Sequence, residues 1–227
     1  MPPAAGQDDR WREVNMIRVL VVDDHALVRA GLCRLLDGEG DIEVVGQTGS
    51  GRDAVKLTRE LEPDVILLDY NLPDQDGLET TQQIKALEIG SKILILTMYS
   101  SDEYATRLIR AGASGFVVKA ASASELLTAV HKVAANGVFV SPSVMEKMVG
   151  RIGRPEEEVP ESVLSNREMQ VLLYLARGTS TRETSEILHL SQSTVETYRS
   201  RILEKLGLRN NSDITRFAIR RGLIDID

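Results

Sequence analysis

Two stretches, DVILLD at 64–69 and KILILT at 92–97, constrain the fold more than any other part of the chain. Each is an apolar run that closes on a polar group. A strand with one wet face alternates apolar and polar residues; a strand without that alternation is covered on both faces. Covering both faces takes helices, and the flanking segments supply them. Ile17–Val22, Ile42–Val45 and GFVVK at 115–119 read as further strands. Ala26–Leu36, Ala54–Leu61, Leu78–Leu87, Glu103–Ile109 and Glu125–Ala135 repeat apolar residues at helical spacing. Strands alternating with helices imply βα units and an α/β fold.

The expected architecture is a doubly wound, five-stranded parallel sheet of flavodoxin-like order 2-1-3-4-5. In such a sheet ligands bind beyond the C-terminal strand ends, where the strand order reverses. Asp23 and Asp24 end the first strand, and Asp69 ends the third. The order 2-1-3 makes these strands neighbours, so all three carboxylates converge. A single aspartate at a strand end commonly starts a turn or caps the next helix. Three on one pocket repel one another and call for a cation. Oxygen-only ligands suit Mg²⁺, which keeps waters and accepts phosphate oxygens. Thr97 and Lys119 end the fourth and fifth strands and add a hydroxyl and an ammonium. With a metal, the set describes a phosphate site around one carboxylate nucleophile.

Residues beyond 136 change character. Gly150 to Ser162 holds two Gly, two Pro and three consecutive Glu, the composition of a linker, with a short helix expected at Ser143–Val149 before it. The remainder has no strand pattern. LSNRE and STRE carry capping boxes, Ser165 with Glu168 and Ser180 with Glu183. Four helices with tight connections follow. The second and third, 181–189 and 192–206, have helix-turn-helix spacing.

Charge divides along the same line. Residues 1–161 hold 17 Lys+Arg against 26 Asp+Glu, whereas 192–221 hold 7 against 3. An acidic front and a locally basic back point to different partners. The second helix of a helix-turn-helix lies in the DNA major groove. On 192–206, Ser193, Thr194, Glu196, Thr197 and Ser200 could face base edges, and Arg199, Arg201 and Lys205 phosphates or bases. The competing reading is an ordinary amphipathic helix with a solvated charged face. Val195, Ile202, Leu203 and Leu206 form its core side.

VVDDH, LLDYNLPDQDG, ILTMYS and GASGFVVKAAS together resemble the receiver domain of bacterial response regulators. The resemblance implies Asp69 as phospho-acceptor, with Mg²⁺ held by Asp23, Asp24, Asp69 and the backbone carbonyl of Asn71. It implies that Lys119 pairs with the phosphoryl group, that Thr97 hydrogen-bonds to it, and that Phe116 is the aromatic that then turns inward. The chain has Lys119-Ala120 where many receivers have Lys-Pro. Residues 162–224 resemble the four-helix LuxR-type DNA-binding domain, with Thr184 and Ser185 standing where that family usually has Ile-Ala, and Tyr198 where it often has His. The pair of resemblances is similar to NarL/FixJ-type transcriptional regulators.

The expected layout is a disordered leader at 1–15, a receiver at 16–137, a linker at 138–161 and a DNA-binding domain at 162–227. The implied partners are a sensor histidine kinase, double-stranded DNA, RNA polymerase as a further contact, and a second copy of the chain once phosphorylated. Met1–Asn15 lacks an apolar core and carries Asp8, Asp9, Arg10 and Arg12, unlike a signal peptide. Apolar runs of about five residues are too short to span a membrane. The single cysteine, Cys33, excludes an internal disulfide. A cytoplasmic location follows as the expectation. Three alternatives stand beside this reading: DNA binding independent of phosphate, a helical unit that binds protein only, and an aspartyl-phosphate phosphatase of the haloacid dehalogenase type. The last places its nucleophile in an Asp-x-Asp pair after the first strand, where this chain has Asp23-Asp24.

Overall fold

The computed structural model of the chain describes residues 16–97, 102–151, 164–221 and 223–224. The expected leader and residues 152–163 of the expected linker lie outside the described residues. The first unit is β1 (Ile17–Val22), α1 (Ala26–Leu36), β2 (Ile42–Thr48), α2 (Gly51–Leu61), β3 (Val65–Asp69), α3 (Gly77–Lys85), β4 (Lys92–Thr97), α4 (Asp102–Arg110), β5 (Gly115–Val118), α5 (Ala123–Ala134), β6 (Phe139–Val140) and α6 (Pro142–Arg151). The strand order is β2-β1-β3-β4-β5-β6, with every pairing parallel.

Alternate residues of each strand face opposite layers, as the two-residue side-chain period requires. Val19, Val21, Val65, Leu67, Leu94, Leu96 and Val117 meet Leu36 of α1 and Leu126, Ala129, Val130 and Val133 of α5. Leu20, Val22, Ile66, Leu68, Ile93, Ile95 and Phe116 meet Ala54 of α2, Ile84 of α3 and Ala105 and Leu108 of α4. All five residues of β3 are buried, so its unbroken apolar run is explained by two covered faces. Truncating one such residue, Ile66→Ala for example, costs about 2–5 kcal/mol.

The sheet has one strand more than the five expected. Phe139 and Val140 pair with Gly115 and Phe116, drawing the start of the linker into the sheet. Gly115 permits this approach: a Cβ there would lie 2.9 Å from the Phe139 carbonyl oxygen and 2.6 Å from Leu94 Cδ1. Ser141 fastens the next step, its N–H donating to the Phe116 carbonyl at 3.0 Å and its hydroxyl donating to Glu125 Oε1 at 2.7 Å.

The second unit is α7 (Asn166–Ala176), α8 (Thr181–Ile187), α9 (Gln192–Leu206) and α10 (Asn211–Arg220). Both expected capping boxes are present, at Ser165/Glu168 and Ser180/Glu183. Gly207 ends α9 in the left-handed region at φ 63°, where a residue with Cβ is disfavoured. Val195, Ile202, Ile214 and Ala218 close a core against Val171, Leu172 and Leu175 of α7. That core is continuous with the layer holding α2, α3 and α4.

Candidate functional site

The pocket sits at the C-terminal ends of β1, β3 and β5, where the order 2-1-3 reverses the winding. β1 runs into Asp23, which is wholly buried, and β3 ends on Asp69, 1% exposed. The residue after β5 is Lys119, whose N–H donates to the Thr97 carbonyl at 2.7 Å. Its ammonium bridges the two carboxylates, 2.7 Å from Asp23 Oδ2 and 2.7 Å from Asp69 Oδ2. Asp23 Oδ1 accepts from the His25 N–H at 2.9 Å, and Asp69 Oδ1 from the Asn71 N–H at 3.2 Å.

Burial raises Asp69 from 3.8 to about 6; the Lys119 ammonium pulls it down and the Asp23 charge pushes it up. Burial also works against the charge on Lys119, but Asp69 and Asp23 outweigh it and hold its pKa above the ordinary value. Burial opposes the charged form of each group; at Asp69 it prevails over the single ammonium, and at Lys119 the two carboxylates prevail over it.

Asp24 completes the set from the start of the turn into α1. Its Oδ1 is buried without a hydrogen-bond donor, although His25 Nδ1 lies 2.6 Å away. Oxygen or ring-nitrogen atoms of Asp23, Asp24, His25 and Asp69 all lie within 4.8 Å of one another. An orphaned buried carboxylate oxygen, and three carboxylates offset by one ammonium, fit a divalent cation with oxygen ligands.

Thr97 is 1% exposed at the end of β4, level with Val118. Phe116 is wholly buried between Ile95 and Val140. The ring thus belongs to the packed layer of the sheet, as a core strand residue does.

Sequence reasoning missed several residues here. Asp74 accepts from the Ser50 hydroxyl at 2.8 Å, the Gly51 N–H at 2.9 Å and the Arg52 N–H at 3.0 Å, tying the β3–α3 loop to the start of α2. Arg29 donates to the Asp23 carbonyl at 2.6 Å. The second unit reaches the same loops. Gln170 Nε2 donates to Asn71 Oδ1 at 2.8 Å, Arg167 to the Leu72 carbonyl at 3.1 Å, and His189 Nε2 lies 3.2 Å from Asp24 Oδ2. Arg107 on α4 donates to the Leu164 carbonyl at 3.3 Å. His25 was legible beside the acidic pair. The others come from distant segments and carry no local signal.

On α9, Ser193, Glu196, Thr197, Ser200 and Arg201 are exposed, and Thr194 and Arg199 are partly so. Val195 and Ile202 are buried beneath them. Arg199 Nε donates to Asn211 Oδ1 at 2.6 Å. Lys205 lies 2.7 Å from Glu168 Oε2 and so ties α9 to α7. Of the expected contact set, Arg201 is the cation best placed to meet a phosphate.

Residues 19–131 match the family model described as "Response regulator receiver domain", and residues 162–218 the one described as "Bacterial regulatory proteins, luxR family". The chain is 38% identical over 211 residues to Response regulator GacA of Pseudomonas aeruginosa, covering 92% of this chain and 99% of that one. It is 37% identical over 213 residues to Response regulator UvrY of Escherichia coli K12, covering 93% and 98%. A crystal structure of a two-component response regulator of the LuxR family from Aurantimonas sp. SI85-9A1 superposes with a TM-score of 0.59 at 32% identity, covering 61% of this chain and 99% of that one.

Proposed function

The chain belongs to the response regulators that join a receiver domain to a luxR-family DNA-binding domain, and from that premise we propose that phosphorylation of Asp69 controls its binding to DNA. It is a transcription regulator rather than an enzyme, which sets the phosphatase alternative aside. The observation that carries the proposal is the Lys119 ammonium, 2.7 Å from both Asp23 and Asp69, over a phospho-acceptor almost fully withdrawn from water.

In this reading a sensor histidine kinase is the donor. The phosphorus–nitrogen bond of its phosphohistidine breaks as Asp69 Oδ forms the new phosphorus–oxygen bond. Lys119 already points at the acceptor oxygen and stays to pair with the phosphoryl group. Asp23, Asp24, Asp69 and the Asn71 carbonyl would hold Mg²⁺, which when bound neutralises oxygens that gain charge in the transfer. Thr97 closes the pocket from β4. Phe116 takes part by repacking beneath α4, because it is buried before the transfer.

The readout is binding of paired DNA half-sites by two copies of α9, in which two weak contacts multiply. The working boundaries are a receiver at 16–137, a joining segment at 138–161 and the DNA-binding unit at 162–227, with the sheet taking in Phe139 and Val140. The test is incubation with acetyl phosphate and Mg²⁺, read by intact mass. One phosphoryl group per chain is expected in the wild type and none in Asp69→Asn. Labelling that survives Asp69→Asn refutes the assignment.

One observation favours a second reading. The polar face of α9 is exposed in this unphosphorylated state. If that exposure is sufficient for binding, DNA affinity will be equal with and without beryllofluoride. A change in affinity on adding beryllofluoride decides for the phospho-switch.

A further inference from the structure

The second unit does more than lie beside the acidic pocket; it holds both of its rims. On the β3 side, Gln170 is wholly buried and donates to Asn71 Oδ1 at 2.8 Å. Arg167 donates to the Leu72 carbonyl at 3.1 Å and to Gln170 Oε1 at 2.9 Å, so the two side chains clamp Asn71-Leu72 as one piece. Tyr70 and Leu72, each 1% exposed, share an apolar cluster with Leu164, Met169 and Leu172. On the β1 side, His189 Nε2 meets Asp24 Oδ2 at 3.2 Å. An ionised carboxylate only accepts, so Nε2 is the donor.

A cation would need the Asp24 carboxylate itself and the backbone carbonyl of Asn71, the residue whose side chain Gln170 holds. Asp24 would give up its carboxylate charge to the metal, and the Asn71 carbonyl would turn toward it. The His189 N–H draws on the same carboxylate charge. The Gln170–Arg167 clamp holds the Asn71 segment in its present path. We propose that the docked DNA-binding unit and a divalent cation are antagonistic ligands of these two loops. Cation binding weakens the dock before any phosphoryl group arrives, and the dock weakens cation binding by the same factor, as linkage requires. The proposal rests on the reading of Asp23, Asp24 and Asp69 as the cation site, and adds that the cation itself is an opening signal.

The experiment titrates Mg²⁺ into the full chain by calorimetry, for the wild type, His189→Gly and Gln170→Met. Glycine suits position 189, where φ is +51°, and Met keeps the shape of Gln170 without its donor. Each variant is expected to bind Mg²⁺ about two- to tenfold more tightly, the range that one net hydrogen bond supplies. Saturating Mg²⁺ is expected to enlarge the small-angle scattering radius of the wild type and to speed hydrogen exchange in a peptide spanning 69–73. Wild-type Mg²⁺ affinity in both variants overturns the proposal, as does Mg²⁺ saturation with no change in radius or exchange. Acetyl phosphate labelling separates the two levels. Normal labelling with equal affinities sinks the antagonism alone, and absent labelling with shifted affinities sinks the phospho-acceptor alone. No Mg²⁺ binding in any of the three chains sinks both.

Discussion

Replacing Asp69 by Asn will stabilise the metal-free protein at neutral pH, and the gain can be estimated from the site. Burial, opposed by Lys119 and reinforced by Asp23, lifts the Asp69 pKa from 3.8 to about 6. A folded-state pKa above the unfolded value means that the folded chain binds this proton more tightly. Ionised Asp69 therefore weighs against folding at pH above about 6, by roughly 1.4 kcal/mol for each pH unit separating the two values, or about 3 kcal/mol. The penalty shrinks as pH falls from about 6 toward 3.8 and vanishes below that, where the carboxyl is protonated in both states. Asn has the shape of the neutral acid and removes the penalty at every pH. The assay is urea unfolding with chelator present, at about pH 7.5 and about pH 4.5. A gain of about 3 kcal/mol at the higher pH and a much smaller one at the lower is expected. Saturating Mg²⁺ will narrow the gap, because it binds the ionised wild type better. The reasoning is refuted if Asp69→Asn is no more stable than wild type at the higher pH, or if its gain does not vary with pH.

The remaining predictions concern other parts of the chain. Thr184 is wholly buried with its hydroxyl unpaired, so Thr184→Val should stabilise the helical unit by about 1–2 kcal/mol in thermal melting, and an unchanged or lower midpoint would count against it. The His131 ring faces two acceptors, the Leu127 carbonyl at 2.8 Å and Asp41 Oδ2 at 3.0 Å, and its pKa is raised because these partners outweigh burial. Its stabilisation is thus complete below the unfolded value near 6.5 and lost as pH rises through the raised value, a slope that His131→Gln should abolish in pH-dependent unfolding. Arg201→Ala should weaken binding to all DNA sequences alike and reduce the salt slope by about one. Lys205→Ala should lower stability more than DNA affinity, since it strips the cationic partner from Glu168, a side chain only 3% exposed, and leaves it only the Ser165 cap.

Much of the receiver was legible because its chemistry sits at strand ends. A buried strand announces itself by an unbroken apolar run, and the residue that ends the run is the one that reaches the pocket. Asp23, Asp69 and Lys119 were singled out this way and lie together in the structure, and Thr97 was singled out by the same signal at the end of β4. Where a strand is not apolar throughout, the same signal fails. β2 continues through Gly46, Gln47 and Thr48 because an edge strand needs only one neighbour, while its apolar run stops at Val45. β6 has two residues, too few for any periodicity. The departure at Thr184 and Ser185 was visible but its consequence was not: the Ser185 hydroxyl finds the Arg182 carbonyl at 2.6 Å, and that of Thr184 is left without a partner. The contacts of Gln170 and His189 join residues far apart in the chain, and only the fold could bring them together.

The stitching of Ser141 to Phe116 and Glu125 also sets how the two units find each other. It joins β6 and the start of α6 to the receiver, so the connection to the helical unit is counted from Arg151 rather than from the end of α5. From Arg151 to Leu164 that tether can span at most about 45 Å. A connection of this length keeps the helical unit near the pocket at an effective concentration on the order of millimolar. At that concentration a dock of millimolar intrinsic affinity is about half closed. A few hydrogen bonds are then enough to hold the two units together. A perturbation worth only about 1.4 kcal/mol moves the open-to-closed ratio tenfold. Lengthening the tether would raise the open population with neither face altered, which makes its length a determinant of the switch point in its own right.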